Sequence, residues 1–80
     1  MQRMTRGEVV YRLPGEPDDS TELAEVEHWQ LVHRELVIAC DEMLGQLPSQ
    51  GTNIRLRARR DELAFRLAHW TERRRQLGLL

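Results

Sequence analysis

The sequence predicts an all-α protein: an antiparallel two-helix hairpin with an extended or disordered N-terminal segment, dimerising into a four-helix bundle. Two stretches contain neither Gly nor Pro, residues 20–44 and residues 53–77, and each is long enough for a helix. Gly45, Pro48 and Gly51 lie between them and favour a turn. Both stretches also repeat apolar residues at spacings of three and four, which is the period of an amphipathic helix.

Residues 1–19 differ from the rest of the chain because Gly7, Pro14, Gly15 and Pro17 interrupt regular structure. Within them, residues 8–13 have the composition of one short strand. A single strand has no partner in a chain that is otherwise helical, so we expect this segment to stay mobile or to pair with another molecule. We therefore divide the chain into an N-terminal segment, 1–19, and a helical hairpin, 20–80.

Capping residues flank both predicted helices. The candidate N-terminal caps are Asp19, Ser20 and Thr21 for the first helix, and Thr52 and Asn53 for the second. Gly45 is suited to the left-handed position that ends many helices. These signals predict helices at about residues 20–44 and 53–77.

One apolar stripe along each helix predicts how the two would pack. The stripes consist of Trp29, Val32, Leu36, Ala39 and Met43 on the first helix, and of Leu56, Leu63, Leu67, Trp70 and Leu77 on the second. Folding the chain at the loop brings Met43 level with Leu56 and Trp29 level with Trp70. The two tryptophans are therefore expected to pack together at the open end of the hairpin.

Charge favours the same pairing. Residues 18–43 contain eight acidic residues and one arginine, whereas residues 53–77 contain eight arginines and three acidic residues. In the predicted register Glu42 lies level with Arg57, and Glu25 with Arg74. Such exposed pairs are worth at most a few tenths of a kcal/mol each, but they disfavour other registers.

Size and charge limit the classes of protein to consider. The chain has 80 residues, which suits one small domain, and its net charge of −1 indicates neither a nucleic acid nor an anionic membrane as partner. Cys40 is the only cysteine, so no intramolecular disulfide can form. No apolar run is long enough to cross a bilayer, and the first residues lack the apolar stretch of a secretory signal. We therefore expect a cytoplasmic protein.

Apolar side chains left over after the hairpin stripes are used predict association. Leu31 and Ile38 lie a heptad apart on another face of the first helix, and Phe65 lies off the stripe of the second. A symmetric homodimer would bury them, and a different protein that lays a helix on this face is the alternative. The sequence thus indicates a non-catalytic protein–protein interaction or accessory module that self-associates.

Nucleic-acid binding is the alternative function, because arginines concentrate on the second helix. The densest group is Arg55, Arg57, Arg59 and Arg60. A short strand followed by two helices is similar to the order of elements in ribbon-helix-helix repressors, in which a dimer inserts paired strands into the major groove. Both helices are much longer here than in that family.

No motif indicates catalysis, a cofactor or a metal. Glu25 and His28 have the Glu-x-x-His spacing of ferritin-like di-iron bundles, but such bundles need the motif twice together with further carboxylates. Cys40 has no second cysteine nearby and is expected to be a small buried apolar residue. We predict that the protein is not an enzyme.

Overall fold

The computed structural model describes residues 12–46 and 50–79, without the side chains of 50–52. Two helices, α1 (Leu23–Gln46) and α2 (Gln50–Gly78), pack against each other as an antiparallel hairpin. The predicted all-α hairpin is confirmed. Of the possible strand at 8–13, residues 8–11 lie outside the described residues, and Arg12 and Leu13 belong to neither a helix nor a strand.

Ser20 prepares the start of α1. Its hydroxyl accepts a hydrogen bond from the backbone N–H of Glu22 (3.0 Å) and donates one to the carboxylate of Glu25 (2.7 Å). The first backbone bond of the helix runs from the N–H of Val26 to the carbonyl of Glu22. Ser20 therefore ties the entering chain to the first turn. The capping position itself is Glu22, whose carbonyl accepts the first helical bond, so the cap predicted at residues 19–21 lies before the observed one.

Both helices extend further into the predicted loop than expected. Gly45 lies inside α1, and among the described residues only Gly15 has a positive φ. The predicted left-handed role of Gly45 is therefore wrong. Because α2 begins at Gln50, Thr52 and Asn53 lie within the helix, and their predicted capping role is also wrong. A glycine near a helix end costs at most about 1 kcal/mol, so α1 can continue through Gly45.

The core lies between the two helices. On α2, Leu63 and Trp70 are buried and Leu56, Leu67 and Leu77 are half-buried, which confirms the predicted stripe of that helix. Leu63 packs with Val37 and Cys40 of α1, and Leu13 from the N-terminal segment packs against the same cluster.

On α1 the predicted stripe is wrong. The buried residues of this helix are Val26, His33, Val37 and Cys40, whereas Leu36 and Met43 are 36% and 51% exposed. One residue turns a helix by about 100°, so the buried face lies about 100° from the predicted one. Both faces repeat apolar residues at spacings of three and four, and the pattern alone favoured the one without a histidine.

The register between the helices differs accordingly. Glu27 pairs with Arg74 at 3.0 Å, and Asp41 with Arg60 at 2.9 Å. The predicted pairs joined Glu25 to Arg74 and Glu42 to Arg57, so the observed register is shifted by about half a turn. Acidic α1 does face basic α2, but through other side chains.

The predicted packing of Trp29 on Trp70 is replaced by other contacts. Trp29 is half-buried, and its ring contacts are with His28 and His33. Trp70 is fully buried, and its ring contacts His69 and the guanidinium of Arg66. A carboxylate from the N-terminal segment binds the Trp70 indole instead.

Neither helix of the described chain has a stretch that is both long enough and apolar enough to cross a membrane.

Candidate functional site

The N-terminal segment forms the most distinctive feature of the molecule. Residues 12–22, here called the strap, contain no helix or strand, yet they cross the groove between α1 and α2. The strap begins with a turn in which the N–H of Glu16 donates to the carbonyl of Leu13 (2.9 Å). Pro14 and Gly15 occupy the centre of this turn, and Gly15 has φ +84°. Pro followed by a glycine of positive φ is the signature of a type II turn.

This turn directs the side chain of Glu16 into the protein, where it is completely buried. One carboxylate oxygen, Oε1, accepts a hydrogen bond from the backbone N–H of Leu13 (2.8 Å) and lies 3.1 Å from Nε2 of His33. The other oxygen, Oε2, accepts hydrogen bonds from Nε of Arg66 (2.9 Å) and from the indole Nε1 of Trp70 (2.6 Å). Both helices and the strap therefore supply partners to one carboxylate.

Arg66 also binds strap residues other than Glu16. Its Nη2 donates to the backbone carbonyls of Pro17 (3.0 Å) and Asp18 (3.1 Å), and its guanidinium carbon lies 5.2 Å from the centre of the Trp70 ring. A planar guanidinium can satisfy a carboxylate, carbonyls and an aromatic face at once, which an ammonium group cannot. Arg66 is thus the main anchor of the strap on α2.

His33 holds the α1 side of the site. Its side chain is fully buried, and Nδ1 lies 2.9 Å from the backbone carbonyl of Trp29. A carbonyl only accepts hydrogen bonds, so Nδ1 carries a proton. Nε2 faces Glu16 within ion-pair distance but is not aligned for a hydrogen bond. We name these side chains, Glu16, His33, Arg66 and Trp70, the Glu16 cluster.

The Glu16 cluster favours the ionised carboxylate. Burial by itself would raise the pKa of Glu16, but the hydrogen bonds from Leu13, Trp70 and Arg66 and the electrostatic interaction with His33 together hold this pKa below its ordinary value. A buried charge with a full set of partners is tolerated, whereas removing one partner leaves the others desolvated and unpaired.

A second contact fixes the strap near the start of α1. Asp19 forms an ion pair with Arg73, and its Oδ1 lies 3.2 Å from Nε2 of His69. The hydrogen bond from Arg73 is the main reason that the pKa of Asp19 is lowered to about 2. Asp19 is partly exposed, so water weakens this ion pair more than the contacts of Glu16.

Acidification is expected to destabilise the protein. A carboxylate whose pKa is lowered by folding stabilises the folded state fully above its unfolded pKa, which for Glu16 is about 4.5. That contribution is lost as the pH falls through the lower pKa of the folded state. Urea unfolding measured from neutral pH to about pH 3 should show the free energy of unfolding falling as the pH falls. In Glu16→Gln the free energy of unfolding should depend less steeply on pH in this range. If the stability of Glu16→Gln depends on pH as steeply as that of the parent, the lowered pKa does not belong to Glu16.

The Glu16 cluster was not predicted from the sequence. Residues 1–19 were expected to stay mobile or to pair with another molecule, and His33 was not among the predicted core residues. Two signals pointed the other way. The sequence Leu13-Pro14-Gly15-Glu16 is that of a tight turn, and His33 lies at a heptad from Val26 on a face that also contains Val37.

The predicted interface residues are exposed, but they do not form one surface. Leu31 is 46%, Ile38 49% and Phe65 65% exposed. Leu31 and Ile38 share one face of α1, because a heptad nearly restores the angle on a helix. Phe65 follows the buried Leu63 by two residues and so points about 160° away from the helix interface. In the structure Leu31 and Ile38 therefore lie on one surface, and Phe65 lies on another.

The four arginines proposed for nucleic acid are divided in the structure. Arg59 pairs with Glu62 (3.2 Å), and Arg60 pairs with Asp41. Arg55 and Arg57 are exposed and take part in no ion pair within 12–46 and 50–79, but two residues along a helix place them about 160° apart. They therefore do not combine into one basic face.

Other candidate chemistry finds little geometric support. Within the described part of the chain, no three His, Cys, Asp or Glu residues are grouped as a metal site would need. Glu25 binds the hydroxyl of Ser20, and His28 contacts the ring of Trp29. Cys40 is a buried free thiol within the core cluster, as expected from its position.

Comparisons with protein-family models, with curated proteins and with solved structures give no match to this chain.

Proposed function

We propose that this protein is a small non-catalytic interaction module that self-associates as a homodimer through the Leu31–Ile38 face of α1. The observation that carries the proposal is the exposure of large apolar side chains on a hairpin whose core is already complete. Leu31 and Ile38 are about half exposed, and they lie on either side of the midpoint of α1.

The energetic reason is the cost of leaving such side chains in water. Burying one large apolar side chain contributes about 1.5 to 3 kcal/mol, a substantial part of the stability of a small domain. Two side chains cannot form a stable interface alone, since specific interfaces bury about 1,200 Å² or more in total. We therefore expect α1 to lie along its copy over most of its length, with Leu31 and Ile38 at the centre.

The opposite flank of α1 is the competing surface. Leu36 and Met43 are 36% and 51% exposed, and at 100° per residue they lie about 80° around α1 from the centre of its buried face. On the Ile38 side, α1 instead contacts α2 through Gln30, whose amide donates to Thr71 at 3.2 Å. The Leu31–Ile38 face lies about 140° around α1 from its buried face. It is therefore turned further from the hairpin core than the Leu36–Met43 flank, which favours it as the site of a partner.

Paired substitutions on the two flanks test the proposal. The double variant Leu31→Glu/Ile38→Glu is expected to have the mass of one 9.5 kDa chain in light scattering, and the parent twice that mass. The matched control, Leu36→Glu/Met43→Glu, places the same charges a heptad apart on the other flank and is expected to stay dimeric.

Two results would count against this reading in different ways. A parent protein that is monomeric and folded at all concentrations would remove self-association altogether. A control variant that dissociates while Leu31→Glu/Ile38→Glu stays dimeric would retain the dimer but assign it to the wrong face.

The site chemistry is compatible with a binding role. The polar side chains of the Glu16 cluster are occupied by contacts with one another, and no metal site is grouped within 12–46 and 50–79. We also place the protein in the cytoplasm, because its single cysteine is a free thiol.

A further inference from the structure

Both ring nitrogens of His33 face atoms that can only accept hydrogen bonds. Nδ1 lies 2.9 Å from the carbonyl oxygen of Trp29, and Nε2 lies 3.1 Å from Oε1 of Glu16. A neutral imidazole has one N–H and one lone pair, so either neutral tautomer turns a lone pair toward one of these oxygens. The ring is fully buried, and Nε2 has no hydrogen-bond partner among the described residues. The neutral ring is therefore poorly suited to this position.

A second proton on His33 removes this repulsion. Glu16 is the other place where such a proton could lie, but both of its oxygens already accept hydrogen bonds. Oε1 accepts one from the backbone N–H of Leu13, and Oε2 accepts two, from Nε of Arg66 and from the indole N–H of Trp70. These bonds favour the ionised carboxylate and hold the pKa of Glu16 below its ordinary value. The proton therefore belongs on His33, where it converts the repulsion into an ion pair.

The charged groups around His33 come from the strap and from α2. Glu16 of the strap faces Nε2, and Arg66 of α2 binds the other oxygen of the same carboxylate. On α1 itself, the ring of His33 contacts that of Trp29, which is uncharged. The positive charge of Arg66 works against a second proton on His33, and Arg66 stays charged at every ordinary pH. An imidazole ordinarily changes charge between about pH 5 and 8, so His33 is the member of the Glu16 cluster that responds in this range.

We propose that the strap is a pH-sensitive latch, which docks when His33 carries a second proton and is released when this proton is lost. Docking then takes up a proton wherever the imidazole of the undocked protein is neutral, and by linkage it weakens as the pH rises. In acid, protonation of Glu16 weakens docking from the other side. The strap is thus docked within a window of pH.

His69 repeats this arrangement at the second contact of the strap. Its Nε2 lies 3.2 Å from Oδ1 of Asp19 and has no hydrogen-bond partner among the described residues. The side chain of His69 is 30% exposed, so water screens this pair more than the pair of His33 with Glu16. His69 therefore acts in the same direction as His33, with a smaller effect.

The strap can leave the hairpin without unfolding it. The helices pack on each other through Val37, Cys40 and Leu63, none of which belongs to the strap. Leu13 packs against this cluster, and the other described contacts of the strap with the hairpin are hydrogen bonds and ion pairs of residues 16–19. Loss of the proton on His33 weakens the most deeply buried of these contacts.

Hydrogen exchange of the Trp70 indole N–H in the full-length protein measures docking, because this group is buried and donates to Glu16. Its protection, corrected for the intrinsic effect of pH on exchange, is expected to fall by up to about tenfold per pH unit between about pH 7 and 8.5. Helix content measured by circular dichroism is expected to stay constant over this range.

The same substitution at two histidines of α1 identifies the responsible ring. His33→Gln cannot change charge and is expected to lose most of the pH dependence of the Trp70 protection. His28→Gln is the matched control, since His28 is exposed and contacts the ring of Trp29. This variant is expected to keep the pH dependence of the parent.

Three results would overturn the latch: constant protection of Trp70 in the parent, loss of helix in parallel with protection, or a pH dependence in His33→Gln as steep as that of the parent. If His33→Gln does not fold, the imidazole ¹⁵N spectrum of the parent decides. At about pH 7, where an imidazole in water is mostly neutral, protons on both nitrogens of His33 support the latch, and an unprotonated Nε2 overturns it.

Discussion

Replacing Glu16 by alanine is expected to destabilise the folded protein by about 3 to 5 kcal/mol, the cost of removing one member of a buried charged pair. The loss exceeds that of the single ion pair to Arg66, because the indole N–H of Trp70 and the N–H of Leu13 lose the same acceptor. Urea unfolding followed by circular dichroism measures the change. Total stabilities of small domains are of similar size, so the variant is expected to be at the edge of folding.

Asp18→Ala is the matched control, since it removes a carboxylate from the same strap. Asp18 is well exposed, and its side chain pairs with Arg12 at 2.9 Å. Exposed pairs of this kind contribute about 0 to 1 kcal/mol, so little change is expected. If the Glu16 and Asp18 variants unfold at the same urea concentration, the carboxylate of Glu16 is not held as the structure describes.

Replacing Trp70 by alanine is expected to cost about 3 to 5 kcal/mol, as for other fully buried large aromatic residues. The substitution removes the ring that packs in the core and beneath Arg66, and it also removes the shortest hydrogen bond to Glu16. Trp70→Phe helps to separate the two effects, because it keeps a six-membered aromatic ring in the core and removes the indole N–H together with the fused five-membered ring. Thermal unfolding should give the lowest melting temperature for Trp70→Ala, an intermediate one for Trp70→Phe and the highest for the parent.

Trp29→Ala provides the comparison for Trp70→Ala. Trp29 is only half-buried, so its removal is expected to cost clearly less than that of Trp70. Equal losses for the two alanine variants would mean that both indoles are buried to the same extent, as the sequence had predicted. The two variants thus discriminate directly between the predicted and the observed packing at the open end.

The parts of the fold that the sequence predicted correctly are those controlled by local pattern. Breaker-free stretches and a loop with Gly45, Pro48 and Gly51 identified two helices and their antiparallel order, to within a few residues at each end. The predicted apolar stripe of α2 was also correct, since Leu63 and Trp70 are buried. No other face of α2 contains a tryptophan that would compete with this stripe. Long periodic segments are where this kind of inference is strongest.

Apolar periodicity alone could not identify the buried face of α1. This helix has two stripes about 100° apart, one through Leu36 and Met43 and the other through His33 and Val37. Hydrophobicity favours the first, since it contains no ionisable group. The second is buried because Glu16, distant in sequence, supplies a charged partner for His33. Polar side chains are usually kept out of the core, but His33 is buried because it has a partner that is distant in sequence and close in space.

The predicted interface residues and the Glu16 cluster are different parts of the molecule. Leu31 and Ile38 were expected to remain outside the hairpin, and their exposure agrees with this expectation. The Glu16 cluster was not predicted, because a glutamate between two prolines ordinarily indicates a solvated loop. The inward direction of this carboxylate depends on the turn at Gly15 and on partners far along the chain.

The contact between Glu16 and Arg66 joins residues 50 positions apart, which has a consequence for biosynthesis. During translation Glu16 is therefore made 50 residues before Arg66. Helices form from local contacts and faster than long-range pairs. The strap is therefore expected to dock only after both helices have formed and Arg66 has been made, and until then the carboxylate of Glu16 stays hydrated.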